Sequence, residues 1–209
     1  MFFTVAERNV DRRTDISSPP LPSFIMSEEL YSQLPQGSIR LLRLLPSEKE
    51  SDELRCELFE YPLQNAGKFS HPYEALSYVW GSEDKPNSIA VNNCTLNVTP
   101  NLYTALLHLR DYACSRVMWI DAICIDQNDN KEKEHQLPLM AEIYAKAYRV
   151  VAWLGDAEGG IDRALELLRL AGENPAKLHN AERSIKRFLQ RPWFQRIWVG
   201  YYSSNSHSR

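Results

Sequence analysis

At 209 residues, with 44% hydrophobic and 24% charged side chains, the chain suits one folded domain with a tail, and global disorder is excluded. A net charge of −3 without any basic run excludes nucleic-acid binding driven by a basic stripe. No apolar run approaches the roughly 20 residues of a membrane span, and Met1 to Ala6 gives way to Glu7, Arg8 and Asp11 too soon for a secretory signal.

Cys56, Cys94, Cys114 and Cys124 lie far apart and three sit in apolar patterns, as reduced, buried thiols of a cytoplasmic protein would. No Cys/His spacing fits zinc, and no metal site is expected.

Residues 1–36 read as a disordered arm, because Ser17-Ser18-Pro19-Pro20-Leu21-Pro22-Ser23 favours extended, unpaired chain. Residues 38–45 are the first strand candidate, and residues 54–61, which alternate, are its expected hairpin partner. Tyr73 to Gly81 is a short strand ending at a glycine. Residues 89–91 and 95–98 form a second hairpin across Asn92-Asn93-Cys94. Thr99-Pro100 starts a helix, with a capping hydroxyl before proline at the first helical position; Leu102, Ala105, Leu106 and Leu109 give it one apolar face.

Val117 to Asp126 is almost unbroken apolar sequence and reads as a strand buried on both faces. Residues 132–148 read as a helix whose well-formed part begins near Pro138. A buried strand follows over 149–154, with helices around Ile161 to Leu168 and Ile185 to Leu189. Strands alternating with helices from residue 73 onward predict an α/β fold with a mostly parallel sheet, the two hairpins being additions to it.

In such sheets ligands gather outside the carboxyl ends of the strands. Ser77, Tyr78, Trp80, Gly81, Asp121, Asp126 and Gln127 are therefore the candidate ligand edge. Trp80, beside Gly81, is placed to stack on a ligand. Asp121 and Asp126 could orient a ribose or hold a cation, or could cap turns at the strand's end. A calcium loop from Asp126 is rejected, because Lys131 stands at the glycine position and Leu137 at the required Glu. A Cys124–His135 nucleophile pair gives way to a small buried thiol. Arg191 and Arg196, with Trp193 and Trp198, are candidates for phosphate or partner contact, against solvated helix-face charges as the plainer role.

Six blocks then fall in order: Tyr73-Glu74-Ala75-Leu76-Ser77-Tyr78-Val79-Trp80-Gly81; Thr99-Pro100-Asn101-Leu102 leading to Leu109-Arg110; Trp119-Ile120-Asp121-Ala122-Ile123-Cys124-Ile125-Asp126-Gln127; Met140-Ala141-Glu142-Ile143-Tyr144; Val150-Val151-Ala152-Trp153-Leu154-Gly155; and Arg191-Pro192-Trp193-Phe194-Gln195-Arg196-Ile197-Trp198-Val199. With these the chain resembles the heterokaryon incompatibility (HET) domain of filamentous fungi over roughly residues 38–199. The resemblance implies nonself recognition and cell-death signalling through a protein partner or self-association. It also implies a likeness to TIR domains, flavodoxin-like α/β modules of which some cleave NAD.

One departure bears on chemistry. The family's Trp-Val pair is usually followed by one residue and then Gln-Glu, whereas here Gly200-Tyr201-Tyr202 follows Val199 and Tyr202 stands where Glu is expected. A carboxylate would stabilise the oxocarbenium-like state of glycosidic cleavage, and a tyrosine with an ordinary pKa near 10 supplies no such charge. The expectation is an interaction domain, with no cofactor beyond NAD as a conceivable substrate. The alternatives are a TIR-like NAD glycohydrolase, or an inactive remnant of a domain over 37–199 that is cut short before a divergent tail at 200–209.

Overall fold

The computed structural model describes residues 2–7, 30–49, 51–65, 72–155, 166, 186 and 189–194. The chain divides into two compact units, residues 3–152 and residues 153–209 with Met1 and Phe2.

In chain order the strands are β1 (Phe2–Glu7), β2 (Ser38–Leu44), β3 (Arg55–Pro62), β4 (Glu74–Ser77), β5 (Asn87–Val91), β6 (Cys94–Val98), β7 (Arg116–Trp119) and β8 (Arg149–Trp153). The helices are α1 (Pro100–Leu109), α2 (Asp121–Cys124), α3 (Asn130–Gln136) and α4 (Met140–Lys146). The fold is mixed α/β. Seven strands, β2 to β8, form one mixed sheet, and β1 extends it beside β8, giving the order β1-β8-β4-β7-β2-β3-β5-β6. The expected arm thus contributes a strand over Phe2–Glu7; residues 8–29 lie outside the described residues.

The hairpins follow their sequence signals. β2 and β3 pair antiparallel from Ser38↔Pro62 to Leu44↔Cys56. β5 and β6 pair from Asn87↔Val98 to Val91↔Cys94. Their turn residues, Asn92 and Asn93, have φ of 49° and 66°, the double left-handed geometry of a tight hairpin that asparagine tolerates. The Asn92 side chain is bonded to β3 as well, its oxygen accepting from the Leu58 N–H at 2.8 Å and its nitrogen donating to the Leu58 carbonyl at 2.7 Å.

The hairpins are not additions to a parallel sheet, and the sheet is not mostly parallel. β4 runs parallel to β7 and to β8, and β3 parallel to β5, while β2 is antiparallel to both β3 and β7. β2 therefore joins the hairpin to the parallel set; nearly every one of its side chains is buried, while those of β3, which is also flanked on both sides, alternate. The apolar pattern of a strand reveals which faces are buried but not which strands lie beside it, so this insertion leaves no local mark in the sequence.

The strand expected over residues 117–126 is a second correction. β7 stops at Trp119, and Asp121–Cys124 turns into α2, with the Ile123 and Cys124 N–H groups both donating to the Ile120 carbonyl. Ile120, Ile123, Cys124 and Ile125 are all buried, so one helical turn and a buried strand present the same unbroken apolar run.

Pro138 marks a third. Helix lies on both sides of it, α3 before and α4 after, joined by a 3-10 turn over Leu137–Leu139. Tightening the turn accommodates a residue that has no N–H to donate.

α1 forms as its cap predicts, with the Thr99 hydroxyl accepting from the Leu102 N–H at 3.3 Å. Its buried face, Leu102, Ala105, Leu106 and Leu109, packs on the sheet at β5. Each of those leucines contributes about 1.5–3 kcal/mol by burial. At the amino end of the parallel strands, Glu74 takes two arginines at once. Arg149 Nε donates to one of its oxygens at 2.6 Å and Arg116 Nε to the other at 2.9 Å. That triad ties β7, β4 and β8 together in their parallel order. Of the helices expected near 161–168 and 185–189, only Glu166, Lys186 and Leu189 lie within the described residues, all three helical.

Candidate functional site

β4 and β7 are parallel neighbours, so their carboxyl ends open on the same edge of the sheet. Beyond β4 the chain turns through Tyr78 to Gly81, and Gly81 has the φ of +75° that favours glycine. Asn101, in the first turn of α1, donates its side-chain nitrogen to the Val79 carbonyl and so pins this turn to the helix start. Beyond β7, Asp121 opens α2.

The two turns meet through side chains. The half-buried Trp80 donates its indole N–H to a carboxylate oxygen of Asp121 at 3.0 Å, and the other oxygen accepts from the Ala122 N–H at 2.8 Å. Gln127 folds the following loop back, its side-chain nitrogen donating to the Asp121 carbonyl at 2.9 Å and the Ile125 carbonyl at 3.3 Å. Trp80, Gly81, Asp121 and Gln127 are thereby brought together at one edge. Ser77 ends β4 opposite Ala152, and Tyr78 is buried.

Asp126 does turn work. Its side chain accepts from the Asn128 N–H at 2.9 Å and its carbonyl from the Asp129 N–H at 3.3 Å. Asp129 in turn caps α3 by accepting from the Lys131 N–H at 2.8 Å.

Beneath this loop lies a constellation that the sequence reading passed over. Arg40, on β2, is 3% exposed and Glu132, on α3, 10%. Arg40 Nη1 donates to one Glu132 oxygen at 2.5 Å and Nη2 to the other at 3.0 Å. Nη2 also donates to the Ser32 carbonyl at 2.5 Å and Nη1 to the Cys124 carbonyl at 3.3 Å. Glu132 also accepts from the Asp126 N–H at 2.8 Å, so one buried carboxylate serves both the arginine and the loop. The signal that could have found it is Arg40 itself, a charge within an otherwise apolar strand, which demands a buried partner.

Tyr31 completes the cluster. Its ring lies 5.0 Å from the Arg40 guanidinium, and its hydroxyl donates to the Ile123 carbonyl at 3.0 Å. Burial, above the nearby Cys124 and Asp126, raises its pKa over the ordinary phenol value.

Cys124 is fully buried, and burial pushes its thiol up to about 12. Its sulfur accepts from the Ile120 N–H at 3.3 Å, while the exposed His135 engages the Lys131 carbonyl at 2.6 Å through Nδ1. That is an inert core thiol. Among the described residues no group of three or more His, Cys, Asp and Glu could hold a metal ion, and no described helix is long and apolar enough to cross a membrane.

In the second unit, Arg191 donates from Nη1 to the Leu154 carbonyl. A Cβ on Gly155, whose φ is +89°, would meet that same nitrogen at 3.2 Å. Trp193 is buried and edge-on to Phe194, with ring centroids 4.9 Å apart. Arg191 thus carries a backbone carbonyl, a bracing role. Arg196, Trp198, Val199 and Tyr202 lie outside the described residues.

Comparison with known proteins adds to this geometry. The family model described as "Heterokaryon incompatibility protein (HET)" matches residues 73–200, a span that opens just before β4 and takes in both turns of the candidate edge. The chain is also similar to heterokaryon incompatibility protein 6, OR allele, of Neurospora crassa, with 32% identity in an alignment 217 positions long, gaps included, that covers 79% of this chain and 31% of that protein. The chain therefore spans about a third of the length of that curated relative. No solved structure matches it.

Proposed function

The chain belongs to the heterokaryon incompatibility (HET) family, and from that premise we propose that it serves fungal nonself recognition in the cytoplasm, as a signalling domain that promotes cell death through contact with a protein partner or a second copy of itself. The observation that carries this reading is the family match over residues 73–200, joined by a relative whose own name is heterokaryon incompatibility. The local architecture is in keeping with it. The hydrogen bonds at the carboxyl edge join separate elements of the matched span, Trp80 to Asp121 and Asn101 to Val79, so the span is internally bound around that edge. Expression of the chain in a filamentous fungus that lacks it is expected to arrest growth or kill hyphae. Normal growth at confirmed expression would sink the reading.

A second reading, a TIR-like NAD glycohydrolase, is favoured by one observation: an indole and a carboxylate, Trp80 and Asp121, side by side at the carboxyl edge of parallel strands. The flavodoxin- and TIR-like likeness rests on the parallel set β7, β4 and β8. With Tyr202 where the family's Glu is expected, incubation with NAD is expected to release no nicotinamide. Release abolished by Asp121→Asn would reverse that assignment.

A further inference from the structure

β6 is the last strand of the sheet among the described residues, and it lacks three of the devices by which edge strands usually repel company. It carries no charge, no proline and no bulge: its five residues, Cys94–Val98, pair one-to-one with Asn87–Val91. The neutrality reaches well beyond the strand. Between Lys85 and Arg110 there is no Asp, Glu, Lys or Arg, in a chain that is 24% charged. The hairpin β5–β6 and all of α1 fall inside that interval.

The register fixes which backbone groups face outward. Val91 and Cys94 flank the two-residue turn and form a hydrogen-bonded pair; alternation along the ladder makes Ile89–Leu96 and Asn87–Val98 bonded pairs as well. The N–H and C=O groups of Thr95 and Asn97 then point away from β5, towards the open edge. Both residues are exposed. Leu96 lies on the same face as the buried Cys94 and Val98, yet is only half-buried, so the core face of the strand is left partly uncovered at its middle.

We propose that β6 is a self-association edge, on which β6 of a second copy of this chain adds antiparallel about a two-fold axis at Leu96. This rests on the self-contact branch of the functional reading above and names the surface that branch would use. A two-fold antiparallel pairing sets Thr95 opposite the Asn97 of the other copy, and Asn97 opposite its Thr95, as two bonded pairs with four hydrogen bonds between them. Leu96 meets its own symmetry mate between them, apolar against apolar. The choice of a second copy follows from charge. A two-fold axis sets the strand against its own sequence, so charges of one sign facing one another across it repel, and a neutral strand carries no such penalty.

The pairing dictates its own test. In T95K/N97K the two introduced lysines face each other twice across the axis. In T95K/N97E each lysine faces a glutamate instead. Both positions are exposed, so the fold is expected to survive, which thermal melting checks. Analytical ultracentrifugation should show a concentration-dependent dimer for the parent protein, weakened at least tenfold in Kd by T95K/N97K and restored by T95K/N97E. Leu96→Cys in a Cys114→Ser background should give a reducible covalent dimer on oxidation, because cross-strand Cα atoms at such a non-bonded pair lie about 4.5 Å apart, within disulfide range.

A parent protein monomeric at every concentration overturns the proposal, as does a dimer indifferent to both double substitutions and to Leu96→Cys. The growth assay separates this from the broader reading. A host response that persists in a monomeric protein leaves the signalling role standing without this edge. A well-behaved β6 dimer without any host response leaves the edge standing without the role.

Discussion

Trp80 and Asp121, on turns that follow two different parallel strands, are joined by an indole N–H donated to a carboxylate oxygen across 3.0 Å. The bond is partly buried and its acceptor charged, conditions in which one hydrogen bond stabilises by about 1.5–3 kcal/mol. A double-mutant cycle of Trp80→Phe and Asp121→Leu, followed by urea unfolding, is expected to show a coupling of about 1–2 kcal/mol, at the low end because solvent reaches the pair. Strict additivity would mean that the turns are held by other contacts.

Arg40 and Glu132 make a costlier pair to disturb. Glu132→Gln keeps the shape but leaves the guanidinium buried without its counter-charge, and is expected to destabilise by about 3–5 kcal/mol. The double substitution Arg40→Met with Glu132→Leu removes both charges and should cost less than either single change. Denaturant midpoints of Glu132→Gln, Arg40→Met and the double variant decide the matter.

The cysteines predict reactivity. Cys56, Cys94 and Cys124 are buried and Cys114 is exposed. One thiol per native chain should react with a disulfide reagent at pH 8, and all four after denaturation. Burial pushes Cys56 and Cys124 each up to about 12. Raised values mean that folding favours the neutral thiol. Its stabilisation is complete below the unfolded pKa of about 8.5 and is lost as pH climbs from there towards 12. Unfolding midpoints measured from pH 7 to pH 10 should fall, with a shallower slope in Cys56→Ala/Cys124→Ala.

Asn92 sets two effects against each other. Its φ of 49° favours glycine, worth a few tenths of a kcal/mol to about 1 kcal/mol, yet its side chain satisfies both the N–H and the C=O of Leu58. Two bonds at about 1 kcal/mol each outweigh the backbone relief, so Asn92→Gly should destabilise by about 1 kcal/mol. A variant more stable than the parent by chemical denaturation would show that the turn geometry dominates.

What the sequence discloses follows the range of the interaction. The β5–β6 turn is legible because two asparagines announce its geometry, and α1 because Thr99-Pro100 announces its start. The boundary between β7 and α2 is not, since Trp119 through Ile125 is dominated by buried apolar side chains whichever way the backbone turns. At the candidate edge, Trp80 and Asp121 are legible as strand-end residues, but not their bond, which needs the parallel pairing of β4 with β7. Arg40 and Glu132 are 92 positions apart, and only the fold brings them together.

β2 carries a consequence for how the molecule comes into being. Its hairpin partner β3 follows directly, so that pairing can form as soon as both strands leave the ribosome. The other flank of β2 belongs to β7, where Leu42 waits for Met118. Throughout the synthesis between those two residues, an apolar strand destined for the middle of the sheet has one unpaired side. Long-range closure of this kind slows folding and exposes a surface to aggregation. The nascent chain should therefore depend on chaperones most while β7 is still being made.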